Sequence, residues 1–316
     1  MDELDYPDVR QAAERIAGRV RPVAVVPAGF AVGSGRLHLA LEYLQHTGSF
    51  KARGAQNFLT AHREAGTLPD AGVTIASGGN AGLACAWAAQ EQGVRATVFL
   101  PANAPEVKIA KLRGYGAEVV LAGREYADAL AACEEFAHAS GALASHAYDH
   151  PLIAAGAGTL VDEIRATVPE VETVVVSVGG GGLFAGVATA ARYHGVRTVA
   201  VEPENCRALN AALEAGKPVD VPVDSVAADA LGARRATALA VAAARRADVR
   251  SVLVPDEEIV RARRLLWDQR RSAVEHAAAA ALAGLLAPTG YRPEPGETVV
   301  VVLCGANTDP VDLQAT

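Results

Sequence analysis

The sequence predicts an α/β protein built on parallel sheets, and three observations lead there. Short apolar runs alternate along the chain with Ala-rich segments of helical period. Glycine-rich turns stand where several of those runs end and helices begin, and no heptad, short-period repeat or low-complexity linker breaks the pattern. Strands covered on both faces read as continuous apolar runs, and parallel neighbours need a crossover helix between them, so this alternation belongs to a parallel sheet.

Taken in chain order, strands are expected at 37–41, 73–76, 96–100, 118–121, 173–178, 198–201, 251–254 and 298–303. Helices are expected at 82–91, 127–139, 183–193 and 256–286. A chain of 316 residues is long enough for two ordinary domains. Turn-rich stretches near 66–72 and 146–151 mark the borders of a possible inserted domain.

Charge and cysteine usage narrow the class. The 29 basic residues stand against 36 acidic ones, a net charge of -7, which disfavours nucleic acid or an anionic membrane as partner. The acidic N-terminal segment MDELDYPDVRQ is expected to be neither a signal nor a transit sequence. The uncharged stretch 174–191 approaches the length of a membrane span, but four consecutive glycines sit in its middle. Cys85, Cys133, Cys206 and Cys304 form no CxxC pair, which fits a reducing compartment. A cytoplasmic globular protein is the expectation. The eight histidines show no HExxH or other zinc spacing. Arg261, Arg263, Arg264, Arg270 and Arg271 are expected on a solvated or interface face of one helix, and Trp87 and Trp267 in a core or interface.

Only four residues carry an amine on their side chain: Lys51, Lys108, Lys111 and Lys217. A guanidinium cannot form a Schiff base, so candidates for amine chemistry are few. Three glycine-rich turns follow strands and open helices, where unpaired amides and the positive end of the helix dipole attract anions. They are Gly48-Ser49-Phe50-Lys51, Ser77-Gly78-Gly79-Asn80-Ala81-Gly82 and Gly179-Gly180-Gly181-Gly182. The tetraglycine turn is the sharpest phosphate candidate, and it lacks the Lys and Ser/Thr of a P-loop. Gly180, Gly182 and Ala185 also fit G-x-G-x-x-A with Glu202 about twenty residues on, so a dinucleotide reading stays open at this point. So does a tight turn that binds nothing.

Five segments resolve the choice. The stretch from Leu41 to Ala55, LEYLQHTGSFKARGA, resembles the lysine segment of pyridoxal-phosphate enzymes of the tryptophan-synthase-β fold type, and within them the serine/threonine dehydratases. The resemblance continues at 77–82, at His146-Ala147-Tyr148-Asp149-His150-Pro151, at 178–182 and at Val301-Val302-Leu303-Cys304-Gly305-Ala306-Asn307, in the same order over essentially the whole chain. It implies fold type II: two open, twisted, mainly parallel sheets flanked by helices. Residues 1–65 and 150–316 would form a large cofactor-binding domain, and 66–149 a small domain closing over the substrate.

The resemblance also implies roles. Lys51 would be the Schiff-base lysine and the base that removes the α-proton, and Phe50 would pack on the pyridine ring. Gly179, Gly180, Gly181, Gly182 and Leu183 would hold the cofactor phosphate, Asn80 the ring hydroxyl, and Ser77, Gly78 and Gly79 the substrate carboxylate. Cys304 would sit opposite the pyridine nitrogen as a nearly neutral partner, with Glu275 near the ring, although His276 replaces the proline that usually follows it. Relatives that racemise serine carry a hydroxyl residue where this chain has Gly78. Glu202 and the Cys206 carbonyl match two parts of a cation site found in several relatives, but Ala208 does not match the third, which leaves a monovalent ion held mainly by carbonyls. The Ala230–Gly232 region also departs from the commoner Asp-Gly-Leu. No regulatory domain is expected beyond Thr316.

The activity implied is the deaminating dehydration of serine, threonine or a related β-hydroxy amino acid, in a homodimer. Alternatives on the same fold are β-replacement and racemisation. From a different class, a nicotinamide-binding oxidoreductase or a nucleotide-binding module would rest on Gly180 to Glu202.

Overall fold

The computed structural model describes residues 3–313; Met1 and Asp2, which open the acidic N-terminal segment, and residues 314–316 lie outside the described residues. The elements run α1 (Tyr6–Ile16), β1 (Val25–Pro27), β2 (Arg36–Ala40), α2 (Lys51–Glu64), β3 (Val73–Ala76), α3 (Asn80–Glu91), β4 (Ala96–Leu100), α4 (Glu106–Gly114), β5 (Glu118–Leu121), α5 (Tyr126–Ser140) and β6 (Leu143–Ala144). They continue with α6 (Pro151–Thr167), β7 (Thr173–Ser177), α7 (Gly182–Tyr193), β8 (Arg197–Pro203), α8 (Ala208–Ala215), α9 (Ala228–Leu231), α10 (Ala238–Arg246), β9 (Val249–Val254), α11 (Asp256–Arg270), α12 (His276–Leu286) and β10 (Thr298–Val302).

Two sheets organise the chain. Six strands lie in the order β1-β2-β10-β7-β8-β9, and four in the order β5-β4-β3-β6. Every pairing is parallel except β1 with β2. The four-stranded sheet is drawn entirely from residues 73–144. All eight expected strands are present. The two that sequence reasoning missed, β1 and β6, are edge strands of only three and two residues.

The helix expected over 256–286 is two helices. Arg271 adopts the left-handed conformation at φ 53 and ends α11, and the chain runs extended to Glu275 before α12 starts. Neither Gly nor Pro announces this break, and it carries Glu275 to the site. Arg263, expected on a solvated or interface face, is 3% exposed and is held within the chain. Its guanidinium donates to the Val274 carbonyl at 2.8 Å and to Thr308 at 2.8 Å, clamping the break from behind.

The cores follow the sheets. Val174, Val175, Val176, Val199, Val300 and Val301 fill the centre of the larger one. Helix α2 follows the numbering of the large part and packs on α6, yet it also packs on α3, and Ala52, Ala55, Phe58 and Leu59 belong to the core cluster of the smaller sheet. The lysine helix is therefore a bridge between the two layers. Two residues beyond Lys51, the fully buried Arg53 pairs with Glu42 at 2.6 Å and with Glu163 at 2.7 Å. A buried guanidinium is tolerable only with such partners, and removing one would destabilise by about 3–5 kcal/mol.

Candidate active site

The site is assembled where strands end. Before α2 the chain makes a tight turn: Thr47 has φ 61 and Gly48 φ 74. Ser49 pairs with Gly305, the Phe50 amide donates to the Cys304 carbonyl at 3.0 Å, and the Ala306 amide to the Gly48 carbonyl at 2.9 Å. The end of β10 thus fixes where Lys51 starts its helix. The Lys51 amine donates to the Ala147 carbonyl at 2.6 Å and lies 4.8 Å from the Phe50 ring centre and 6.0 Å from that of Tyr148. Burial lowers its pKa to about 8, against a weaker upward pull from Cys304 and Glu275. An amine so placed is neutral for a far larger fraction of the time near physiological pH than an exposed lysine, as nucleophilic and basic roles require.

The second turn joins β3 to α3, and Asn80 is the first residue of the helix. Its Nδ2 donates to both oxygens of Glu275 at 3.0 Å, which ties α3 to the start of α12. Burial raises the Glu275 pKa, while hydrogen bonds from Asn80 and the Asn307 amide oppose that rise. Ser77 and Gly79 are partly buried, and a side chain at Gly79 would meet no atom within 4 Å. At Gly78 a Cβ would lie 2.7 Å from the Leu100 side chain.

The third turn, Gly179 to Gly182, joins β7 to α7. A Cβ on Gly180 would overlap the Tyr148 ring, one on Gly182 would lie 2.7 Å from the Tyr148 carbonyl, and one on Gly179 would lie 3.0 Å from the Leu231 backbone. Gly181, at φ 102, abuts the Ala240 methyl. Leu183 is buried in the second position of the helix. Cys304, at the end of β10, faces the Ser177 hydroxyl at 3.6 Å, and burial pushes its thiol up to about 12, so it stays neutral.

Lys51, Phe50, Asn80, Glu275 and Cys304 are therefore gathered, and Tyr148 links the lysine to the tetraglycine turn. Glu202, near the end of β8, and Cys206, just beyond it, lie apart. Both Glu202 oxygens accept backbone amides of α8, from Leu209 at 2.7 Å and Asn210 at 2.8 Å. That carboxylate caps a helix. No group of three or more His, Cys, Asp or Glu among the described residues could hold a metal ion. Sequence reasoning assigned nothing to Tyr148, Ser177 or Asn307. Tyr148 and Asn307 stood inside quoted motifs, and only their neighbours in space give them a place. Among the described residues no helix is long and apolar enough to cross a membrane.

A neutral-capable lysine between two helix starts, with a neutral thiol on a neighbouring strand end, defines an enzyme that captures a carbonyl cofactor bearing an anionic group. Pyridoxal phosphate fits that donor set: the amine suits its aldehyde, the first amides of α7 its phosphate, and the uncharged thiol a ring nitrogen. The chain belongs to the pyridoxal-phosphate-dependent enzyme family, which it matches over residues 19–305. It is 38% identical to an L-threonine ammonia-lyase of Geobacter sulfurreducens over 97% of this chain and 76% of that one. It is 36% identical to a serine dehydratase-like protein of Rattus norvegicus, over 92% of this chain and 90% of that one. Among solved structures, maize serine racemase superposes with a TM-score of 0.92 at 28% identity, over 99% of this chain and 96% of that one. The fold is that of type II pyridoxal-phosphate enzymes.

Proposed function

We propose that this protein is an ammonia-lyase that converts L-serine, L-threonine or a related β-hydroxy amino acid, by α,β-elimination, to a 2-oxo acid and ammonia. The observation that carries the reading is the Lys51 amine, its pKa lowered to about 8, held among Phe50, Tyr148 and the Ala147 carbonyl. When bound, pyridoxal phosphate supplies the carbonyl that takes the substrate amine and a ring that accepts the electron pair released at Cα.

The chain's own groups do the rest. Lys51 is the attachment point, and once free its neutral amine takes the α-proton. The amides from Gly179 to Leu183 hold the phosphate, and Ser77, Gly78 and Gly79 hold the substrate carboxylate at the start of α3. With pyridoxal phosphate bound, Asn80 would donate to its ring hydroxyl, Phe50 would pack on the ring, and Glu275 would fix Asn80. Cys304 would stand beside the ring nitrogen as a neutral thiol and would not protonate it. Overall the α-proton and the β-hydroxyl leave as one water, and one water is taken up when the released imine hydrolyses to the 2-oxo acid and ammonia.

Leu100 fills the space beside Gly78, and no hydroxyl at that position serves the opposite face, which supports elimination over racemisation. Glu202, committed to capping α8, speaks against a nucleotide ribose there. Residues 66–149 act in this reading as the segment that closes over the substrate. The working form is a cytoplasmic homodimer, and a monovalent ion near the Cys206 carbonyl completes it.

The test is an absorbance spectrum of the purified protein before and after borohydride, then with serine and threonine, with products identified. Borohydride-trapped cofactor on Lys51 and 2-oxo acid formation are expected. Lys51→Ala abolishes both. A Lys51→Ala variant with full turnover overturns the mechanism.

A further inference from the structure

Asn307 joins three segments, two through its side chain and the third through its backbone amide. Its Nδ2 donates to the Thr47 carbonyl at 2.6 Å and to Asn80 Oδ1 at 2.7 Å, and its backbone amide donates to Glu275 Oε1 at 2.7 Å. Its side chain also lies against Gly48 in the lysine turn.

The order of donors in this network is forced. The Thr47 carbonyl can only accept, so the Asn307 atom facing it is the amide nitrogen. That same nitrogen faces Asn80, so the nearer Asn80 atom is its oxygen. The Asn80 nitrogen is then turned to Glu275, where the hydrogen bonds to both carboxylate oxygens are found. An Asn80 nitrogen carries two hydrogens, and one directed at Glu275 leaves the other for a further acceptor. The Glu275 carboxylate holds the Asn80 nitrogen and Asn307 holds its oxygen, so without Asn307 the Asn80 amide would be anchored at one end alone and could tilt about that contact.

We propose that Asn307 is a positioning residue: it fixes the Asn80 amide with its nitrogen toward the ring hydroxyl of pyridoxal phosphate, and ties that orientation to the turn that places Lys51. The inference rests on the role given above to Asn80.

The experiment is a double-mutant cycle on the full chain, read by spectral titration of the apoprotein with pyridoxal phosphate. Both the affinity and the ratio of the two absorption bands of the bound cofactor are recorded for wild type, Asn80→Ala, Asn307→Ala and the double variant, with circular dichroism reporting the fold. Asn307→Ala is expected to weaken cofactor binding about tenfold, the scale of one lost hydrogen bond, and to shift the band ratio in the same direction as Asn80→Ala. The double variant should be no more than about twofold worse than Asn80→Ala alone, because coupled residues fail to add. Asn307→Asp, equal in shape but without the two donors, should be worse than Asn307→Ala, since its carboxylate would face two acceptor oxygens.

Additive effects, an unchanged band ratio, or an aspartate tolerated as well as alanine would each overturn the proposal. Loss of fold in every Asn307 variant would make the residue structural and overturn it too. A wild type that takes up no cofactor, or an Asn80→Ala variant that binds like wild type, would instead remove the underlying reading of Asn80, and this inference with it.

Discussion

The four glycines of the tetraglycine turn and Gly79 in the turn before α3 are the same residue in opposite surroundings. Each glycine of 179–182 is pressed against a neighbour, with Leu231, Tyr148 and Ala240 occupying the volume a side chain would need. At Gly79 that volume is empty. Packing alone accounts for the first set, so it would be kept whether or not an anion bound there. Packing accounts for nothing at Gly79, so a requirement for glycine there points to something that arrives from outside. The turn that looked like the better binding motif is thus the one whose composition needs a binding explanation less.

Substitutions can break that contrast. The largest effect is expected for Gly181→Ala, which adds a left-handed non-glycine residue and an overlap with the Ala240 methyl. A loss of about 2–4 kcal/mol is expected from a denaturant midpoint. Next comes Gly79→Ala, whose stability should stay within about 0.5 kcal/mol of wild type. Its kcat/KM for serine should nevertheless fall by about 10- to 100-fold, the scale of one charge-assisted hydrogen bond. Equal destabilisation by both changes would dissolve the contrast, and full activity of Gly79→Ala would move the carboxylate site elsewhere. The smallest effect concerns the amine between the turns. Lys51 is protonated below about 8 and neutral above it, and capturing an aldehyde needs the neutral form. Stopped-flow uptake of pyridoxal phosphate should therefore rise about tenfold from roughly pH 7 to pH 9 and level off there. A flat profile would place the proton-sensitive step outside Lys51.

Much of this was legible in the sequence because the signals were local. The valine runs at 173–177 and 298–302 and the three glycine turns announce themselves without reference to distant residues. What escaped depends on partners far along the chain. Arg53 reads as one more charge on a helix, and its burial is decided by Glu163, 110 residues away. Arg263 reads as part of an arginine cluster on a solvated or interface face, and within the fold it is buried with Val274 and Thr308 as acceptors. Glu202 suited a ribose or a cation on spacing alone, and only the fold shows its carboxylate turned to the amides of α8. The α11–α12 break has no Gly or Pro, because tertiary contacts around Arg263 and Glu275 hold it where local propensity would continue a helix.

The position of β10 has a consequence for biosynthesis. It lies in the middle of the six-stranded sheet, with Thr298 opposite Arg36 on one side and Val299 opposite Thr173 on the other. Until residues 298–302 have left the ribosome, β2 and β7 each present an unpaired parallel edge, and the turn before Lys51 has no Cys304 or Gly305 to rest on. The emerging chain carries one such edge once residue 40 is out and a second once residue 177 is out, a state in which mispairing with other chains competes with folding. The late arrival of β10 thus exposes the chain to mispairing at a stage that the stability of the finished molecule does not protect.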